Sequence, residues 1–235
     1  MELDLNYWKV TMTYETANTF DDDGRLEKER SFWKAAAEGY DEWIANDFQD
    51  QYEVNWSILT KYVDPTLRVL DVGCGPGDLS IRISRHCHEV QGVDVTPEMI
   101  RIAEEKAAFE PANVNFQQAD ACDLPFENYT FDTVMSVNAL QTMVRPEMAL
   151  MEMSRVLKPG GELLLITYCY GDSNLSDSES FIDWTIKYGA QAVWQSFKLT
   201  QLVNLLQTNG FEVVEADRIW EGPVVGFLRG RSITF

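Results

Sequence analysis

Val69-Leu-Asp-Val-Gly-Cys-Gly-Pro-Gly-Asp-Leu-Ser80 is the stretch on which the reading of this chain turns. Arg68 to Val72 is apolar and of strand length, and Gly73, Gly75 and Gly77 follow it at alternate positions before a helical pattern begins. Glycine has no Cβ, so the backbone can turn tightly there and lie against a ligand. The free N–H groups of the following helix face that ligand. A turn of this kind at the carboxyl end of a parallel strand is where open α/β sheets bind small molecules.

The spacing separates this turn from its commoner relatives. The dinucleotide fingerprint needs G-x-G-x-x-G, and here Asp78 fills the sixth place. The G-x-x-x-x-G-K-[ST] phosphate loop is absent as well. Asp71 before the turn and Asp78 after it would repel a pyrophosphate. They suit a ligand with an amino group, hydroxyls or a positive charge, such as S-adenosylmethionine.

Working outward, Val90-Gln-Gly-Val-Asp94-Val reads as a second strand ending in an acid, 21 residues after Gly73. A carboxylate accepts two hydrogen bonds from a vicinal diol, the requirement for holding a ribose. Asn113 to Ala121 reads as a third strand with Asp120 at its tip, Phe131 to Asn138 as a fourth, and Arg155 to Ile166 as a helix end, a tight turn and a fifth. Asp120 or a neighbouring N–H is placed to hold the adenine edge.

Together these motifs resemble the class I S-adenosylmethionine-dependent methyltransferases over residues 30 to 235. Asp71, Gly73, Gly75 and Gly77 match that family's first motif, Asp94 its ribose acid, Asp120 its adenine acid, and Lys158-Pro-Gly-Gly161 the turn before its fifth strand. The resemblance implies a doubly wound, mostly parallel seven-stranded α/β sheet with helices on both faces, an antiparallel last strand and a helical N-terminal cap. It implies a cap over residues 1–60 and a core over 61–235, with a substrate insert at about 168–197. For the cofactor it implies contacts from Asp71, Gly73, Cys74, Gly75, Gly77, Asp94, Val95, Met99, Asp120, Ala121 and Asn138.

Composition narrows the acceptor. The formal net charge is −19, which argues against nucleic acid and anionic membranes as partners, because both need clustered Lys and Arg. No run approaches the ~20 apolar residues of a membrane span. The N-terminus has no signal-peptide pattern, and Cys74, Cys87, Cys122 and Cys169 form no C-x-x-C pair. The expectation is a cytoplasmic protein with reduced thiols and no metal site, a monomer or homodimer acting on a small molecule.

Apolar residues at Trp33, Ala36, Ala37, Tyr40 and Ile44 predict an amphipathic helix over 26–48, and a second is expected over 52–62. Thr96-Pro97 opens a helix through Ala108, and Pro146 to Leu157 is another. Helices are expected over 181–194 and 198–209, with Gly210 closing the latter, and strands over 211–216 and 224–231.

The acceptor pocket should lie over the strand ends, where aromatics collect: Trp33, Tyr40 and Trp43 in the cap, Tyr168, Tyr170 and Trp184 near the insert. Tyr14 and Tyr40 are the cap candidates. Many small-molecule relatives carry histidines after the fourth strand, but here Gln141 stands there, able to orient a substrate and unable to take a proton. His86 and His88 precede the second strand, away from the pocket. Tyr168, Tyr170, Asp172 or a cap tyrosine are the candidate bases; a neutral amine or thiolate needs none. The rival readings are a peptide or protein methyltransferase, marked by an open groove, and a catalytically inactive binding protein of the same fold.

Overall fold

Strand order puts the glycine turn at the centre of the molecule. In the structure, a computed structural model describing residues 22–110, 112–173, 195–221 and 223–233, seven strands form one sheet in the order β3-β2-β1-β4-β5-β7-β6. These are β1 (Arg68–Val72), β2 (Glu89–Asp94), β3 (Val114–Gln118), β4 (Phe131–Val137), β5 (Leu157–Tyr168), β6 (Phe211–Trp220) and β7 (Val225–Ser232). β1 pairs in parallel with β2 on one side and β4 on the other. The chain order reverses between them, and the crevice at that switch point is where such sheets take ligands. Only β7 runs antiparallel, between β5 and β6.

The strands read as near-continuous apolar runs because both faces are covered. Leu163 and Leu165 of β5 join Leu70, Val134, Leu150, Met153, Leu202 and Leu206 on one face. Leu164 and Ile166 join Val69, Met135, Ile58, Leu59, Leu79 and Ile83 on the other. Neighbouring residues of one strand thus serve opposite cores, as the two-residue period of a strand requires. The first core is closed by α6 (Pro146–Val156) and α7 (Leu199–Thr208), the second by α3 (Gln49–Leu59) and α4 (Asp78–Ser84). α5 (Pro97–Ala107) packs Ile100 and Ala103 with Ile81 and Phe116 at the β3 edge.

Gly77 sits at φ +84°, and a Cβ there would stand 2.7 Å from the Phe116 ring and 2.8 Å from the Ala103 methyl. The residue therefore has to be glycine for α4 to start this close to β3 and α5.

The cap departs from expectation. The helix predicted over 26–48 is broken: α1 (Asp22–Ala36) gives way to a 3₁₀ turn (Ala37–Gly39), a single turn α2 (Tyr40–Trp43) and a π-type turn (Ile44–Phe48) before α3. Gly39, at φ −102° and ψ 0°, marks the break, and none of the side chains preceding these short pieces caps them. α3 begins three residues earlier than predicted and ends at Leu59, and β6 runs four residues further, to Trp220. The helix predicted over 181–194 lies outside the described residues, as does most of the insert.

Candidate active site

The carboxyl ends of β1, β2, β3 and β4 border a cavity of roughly 990 Å³, counted with its open mouth. β1 and its turn supply Val72, Gly73 and Gly75; β2 supplies Val93 and Asp94, followed by Val95. Ala119 to Cys122 follow β3, Val137 to Ala139 end β4, and Thr142 to Arg145 lie just beyond. Met99 of α5, Leu26, Glu29 and Trp33 of α1, and Tyr40 complete the lining.

Asp94 organises this rim. One carboxylate oxygen accepts the Thr96 N–H at 2.8 Å, which starts α5, and the other accepts the Gly75 N–H at 3.1 Å, which pins the glycine turn. Burial holds its carboxyl above the usual range, partly offset by those two N–H groups. A carboxylate has about four lone-pair positions, so two remain for hydroxyls of a ligand. Asp120 accepts the Cys122 N–H at 2.8 Å, which curls the chain after β3 toward the cavity.

Asn138 adopts φ +53°, a left-handed conformation that Asn tolerates better than most residues. Its Oδ1 is buried and accepts no hydrogen bond among the described residues. Gly75, at φ +53°, has no heavy atom within 4 Å of where a Cβ would stand, so the space beside it belongs to the cavity.

Eight of the eleven expected cofactor contacts line this cavity: Gly73, Gly75, Asp94, Val95, Met99, Asp120, Ala121 and Asn138. Asp71, Cys74 and Gly77 are not on its wall. Asp71 is buried beneath the turn and accepts the Ser80 hydroxyl at 2.5 Å. Asp78 pairs with Lys106 at 2.5 Å. The two carboxylates flanking the glycines thus each have a partner within the protein.

Among the acceptor-side candidates, Tyr40 lines the cavity. Burial, then Coulombic coupling to Tyr168, Asp78 and Asp94, push its phenol well above the ordinary range, so it stays protonated near neutral pH. Tyr168 is away from the wall: its hydroxyl donates to Gln51 Oε1 at 2.9 Å, and burial holds it protonated too. Gln141 is also removed from the wall. Its Nε2 donates to the Asn138 carbonyl at 2.7 Å and its Oε1 accepts the Thr167 hydroxyl at 2.6 Å. Asp172 accepts the Leu199 N–H at 2.7 Å at the start of α7 and pairs with Arg218 at 3.4 Å. Gln141, Tyr168 and Asp172 thus each have hydrogen-bond partners within the fold. Burial keeps Tyr170 protonated as well. His86 and His88 are exposed, His86 lying against Trp56. Tyr14 and Trp184 lie outside the described residues.

Glu29 is the wall residue that sequence reasoning missed. Its signal was available: Leu26, Glu29 and Trp33 fall at i, i+3 and i+7, one face of a helix.

A glycine turn and acids at successive strand tips, around a crevice at the switch point of this sheet, define a nucleotide-cofactor transferase site. Comparison with known proteins agrees. A family described as "Methyltransferase domain" matches residues 69–161. A ubiquinone/menaquinone biosynthesis C-methyltransferase (UbiE) from Teredinibacter turnerae is 31% identical over 171 residues, covering 69% of this chain and 67% of that protein. A demethylmenaquinone methyltransferase from Porphyromonas gingivalis is 41% identical over 103 residues, 42% of each chain. Among solved structures, a Haemonchus contortus phosphoethanolamine N-methyltransferase holding S-adenosylhomocysteine shares the fold, with a TM-score of 0.71 at 20% identity, over 87% of this chain and 60% of that one. The chain belongs to the class I S-adenosylmethionine-dependent methyltransferases. It spans about half the length of several curated relatives that it matches.

Proposed function

We propose that this chain carries a methyl group from S-adenosylmethionine to a nitrogen, oxygen or sulfur atom of a small-molecule metabolite. The observation that carries the reading is the cavity itself, lined by cofactor-type groups at the strand tips and by Trp33 and Tyr40. When bound, the cofactor supplies an electrophilic methyl on a sulfonium.

The residues present fit it. Asp94 has lone pairs left for the ribose diol. Asp120 and the N–H groups after it face the adenine. The open space beside Gly75 lets the amino-acid tail approach the turn, and the unpaired Asn138 Oδ1 gives its ammonium an acceptor. Trp33 and Tyr40 exclude water from the methyl side, and alignment of the acceptor there supplies most of the rate. Tyr40 stays a phenol and orients the acceptor by donating. Residues 1–60 serve in this reading as a cap and the insert at 168–197 as its continuation. The net charge of −19 and the aromatic wall favour a small metabolite over nucleic acid or an extended peptide.

Calorimetry with S-adenosylmethionine tests the reading. Native protein should bind it, and Asp94→Ala should weaken binding roughly a hundredfold, the loss of two hydrogen bonds to a charged acceptor. No heat with native protein would end the proposal. Mass spectrometry of a metabolite extract should show one compound gaining a single methyl group; a gain confined to polypeptides would move the acceptor class.

A further inference from the structure

We propose that Arg145 is an anion-binding residue of the cavity, and that the methyl acceptor carries the carboxylate or phosphate it holds. The inference rests on the methyltransferase reading above and names the chemical class of its acceptor.

From Arg68 onward the chain has nine arginines. Eight of them pair with a carboxylate, as Arg82 does with Glu53, Arg155 with Glu152 and Arg229 with Glu162. Among the described residues the ninth, Arg145, has no such partner. Acids are not scarce, since the chain has 38 Asp and Glu against 19 Lys and Arg. The guanidinium left without a carboxylate is also the one on the cavity: Arg145 is partly buried and lines the wall just before α6.

Cys122 fixes its surroundings. The Cys122 thiol donates to the Arg145 carbonyl at 3.5 Å, which joins this residue to the chain after β3. Burial lifts that thiol to about 11; Asp120 adds to the rise and Arg145 opposes it. The positive charge of Arg145 therefore acts on a second wall residue. Asp120 acts on the same thiol, yet forms no ion pair with Arg145 among the described residues. A guanidinium offers N–H donors in a planar fork that matches a carboxylate or a phosphate. Partial burial strengthens the attraction, because less water screens it.

Two sources of an anion are available in this cavity. S-adenosylmethionine has one carboxylate, at its amino-acid end. In the reading above that end lies by Gly75 and Asn138, whereas Asp120 and Cys122 belong with the adenine, which is uncharged. The anion for Arg145 then has to come with the acceptor. The wall is otherwise acidic: Glu29, Asp94 and Asp120 are its remaining charged members. Glu29 has a partner within the chain, and Asp94 and Asp120 serve the cofactor in the same reading. Arg145 is thus the wall residue that can select an acceptor by charge, and it selects an anion.

Binding without turnover tests this. Protein loaded with S-adenosylhomocysteine is titrated in a calorimeter with benzoate, 3-phenylpropionate and indole-3-acetate, each beside its carboxamide, and with phenyl phosphate beside phenol. At least one anion should bind roughly tenfold or more tightly than its neutral partner. Arg145→Gln should remove that preference and leave the affinity for the neutral compound within twofold. Arg145→Lys, which keeps the charge and loses the fork, should retain part of it. Equal binding of anions and neutral partners, or a preference undiminished in Arg145→Gln, overturns the proposal while the methyltransferase reading stands. A second arm separates the two sources. Arg145→Gln should leave the affinities for S-adenosylhomocysteine and for its decarboxylated analogue within twofold of native. A loss of tenfold or more confined to S-adenosylhomocysteine would give Arg145 to the cofactor's own carboxylate and overturn the acceptor assignment. Failure of native protein to bind S-adenosylhomocysteine overturns the methyltransferase reading as well.

Discussion

Asp71 shows how one residue can serve a motif without touching the ligand. It is the last acid before the glycines, buried under the turn and hydrogen-bonded by Ser80 at 2.5 Å. Burial lifts its pKa from 3.8 to about 7; the Ser80 hydroxyl opposes the rise and Asp94 adds to it. The folded state therefore holds this proton more tightly than the unfolded chain. The stabilisation is complete below pH ~4 and is lost as the pH rises toward 7. Asp71→Asn keeps an acceptor for Ser80 and removes the titration. Urea unfolding of the cofactor-free proteins should show the variant gaining stability relative to native between pH 5 and pH 8. A relative loss over that range would mean that the native fold prefers the ionised form.

At the scale of elements, the helices before β1, the proposed cap, meet the rest of the molecule through a charge pattern. Acids of the cap face bases of the core: Glu38 meets Arg101, Asp41 meets Lys106 at 2.7 Å, and Glu53 meets Arg82 at 2.9 Å; Lys34 reverses the sense with Glu98 at 3.0 Å. Exposed pairs of this kind contribute about 0.2–1 kcal/mol each and are screened by salt. The sheet owes its cohesion to buried Leu, Ile, Val and Phe, which salt does not weaken. Hydrogen–deuterium exchange in 0.5 M sodium chloride should therefore quicken over α1 and α2 by roughly threefold or more. β1, β4 and β5 should be unchanged or slower. Uniform quickening would show that cap and sheet open as one unit. The Tyr168–Gln51 hydrogen bond ties α3 to β5 from within and should keep α3 with the sheet.

For the molecule as a whole, ligand binding and stability are linked. Four strand tips and the cap share one cavity, so a ligand there joins parts of the chain that unfolding would separate. At a hundred times its Kd, a ligand specific for the folded state adds about 2.7 kcal/mol. For a domain of this size that is a rise in Tm of roughly 5–10 °C. S-adenosylhomocysteine at that excess should produce it in a thermal melt of the native protein, and the same concentration should produce almost none with Asp94→Ala. An equal rise in both would place the ligand away from the β2 tip. Among the described residues no helix is long and apolar enough to cross a membrane.

The sequence by itself determined the sheet, its parallel sense and the strand tips that border the cavity. These depend on local chemistry: apolar runs of strand length, glycines where φ is positive, acids at strand tips. Asp94, Asp120 and the turn at Gly73 to Gly77 could be read for that reason. Tertiary structure decided which acids line the cavity. Asp71 and Asp78 look alike in the chain, yet Ser80 and Lys106, both brought near by folding, take them out of the cavity. It also decided the acceptor wall, because the break at Ala37–Gly39 sets where Trp33 and Tyr40 stand, and α1 carries Glu29 to strand tips far from it in sequence. A side chain's role there follows from what packs across from it, and no local pattern encodes that.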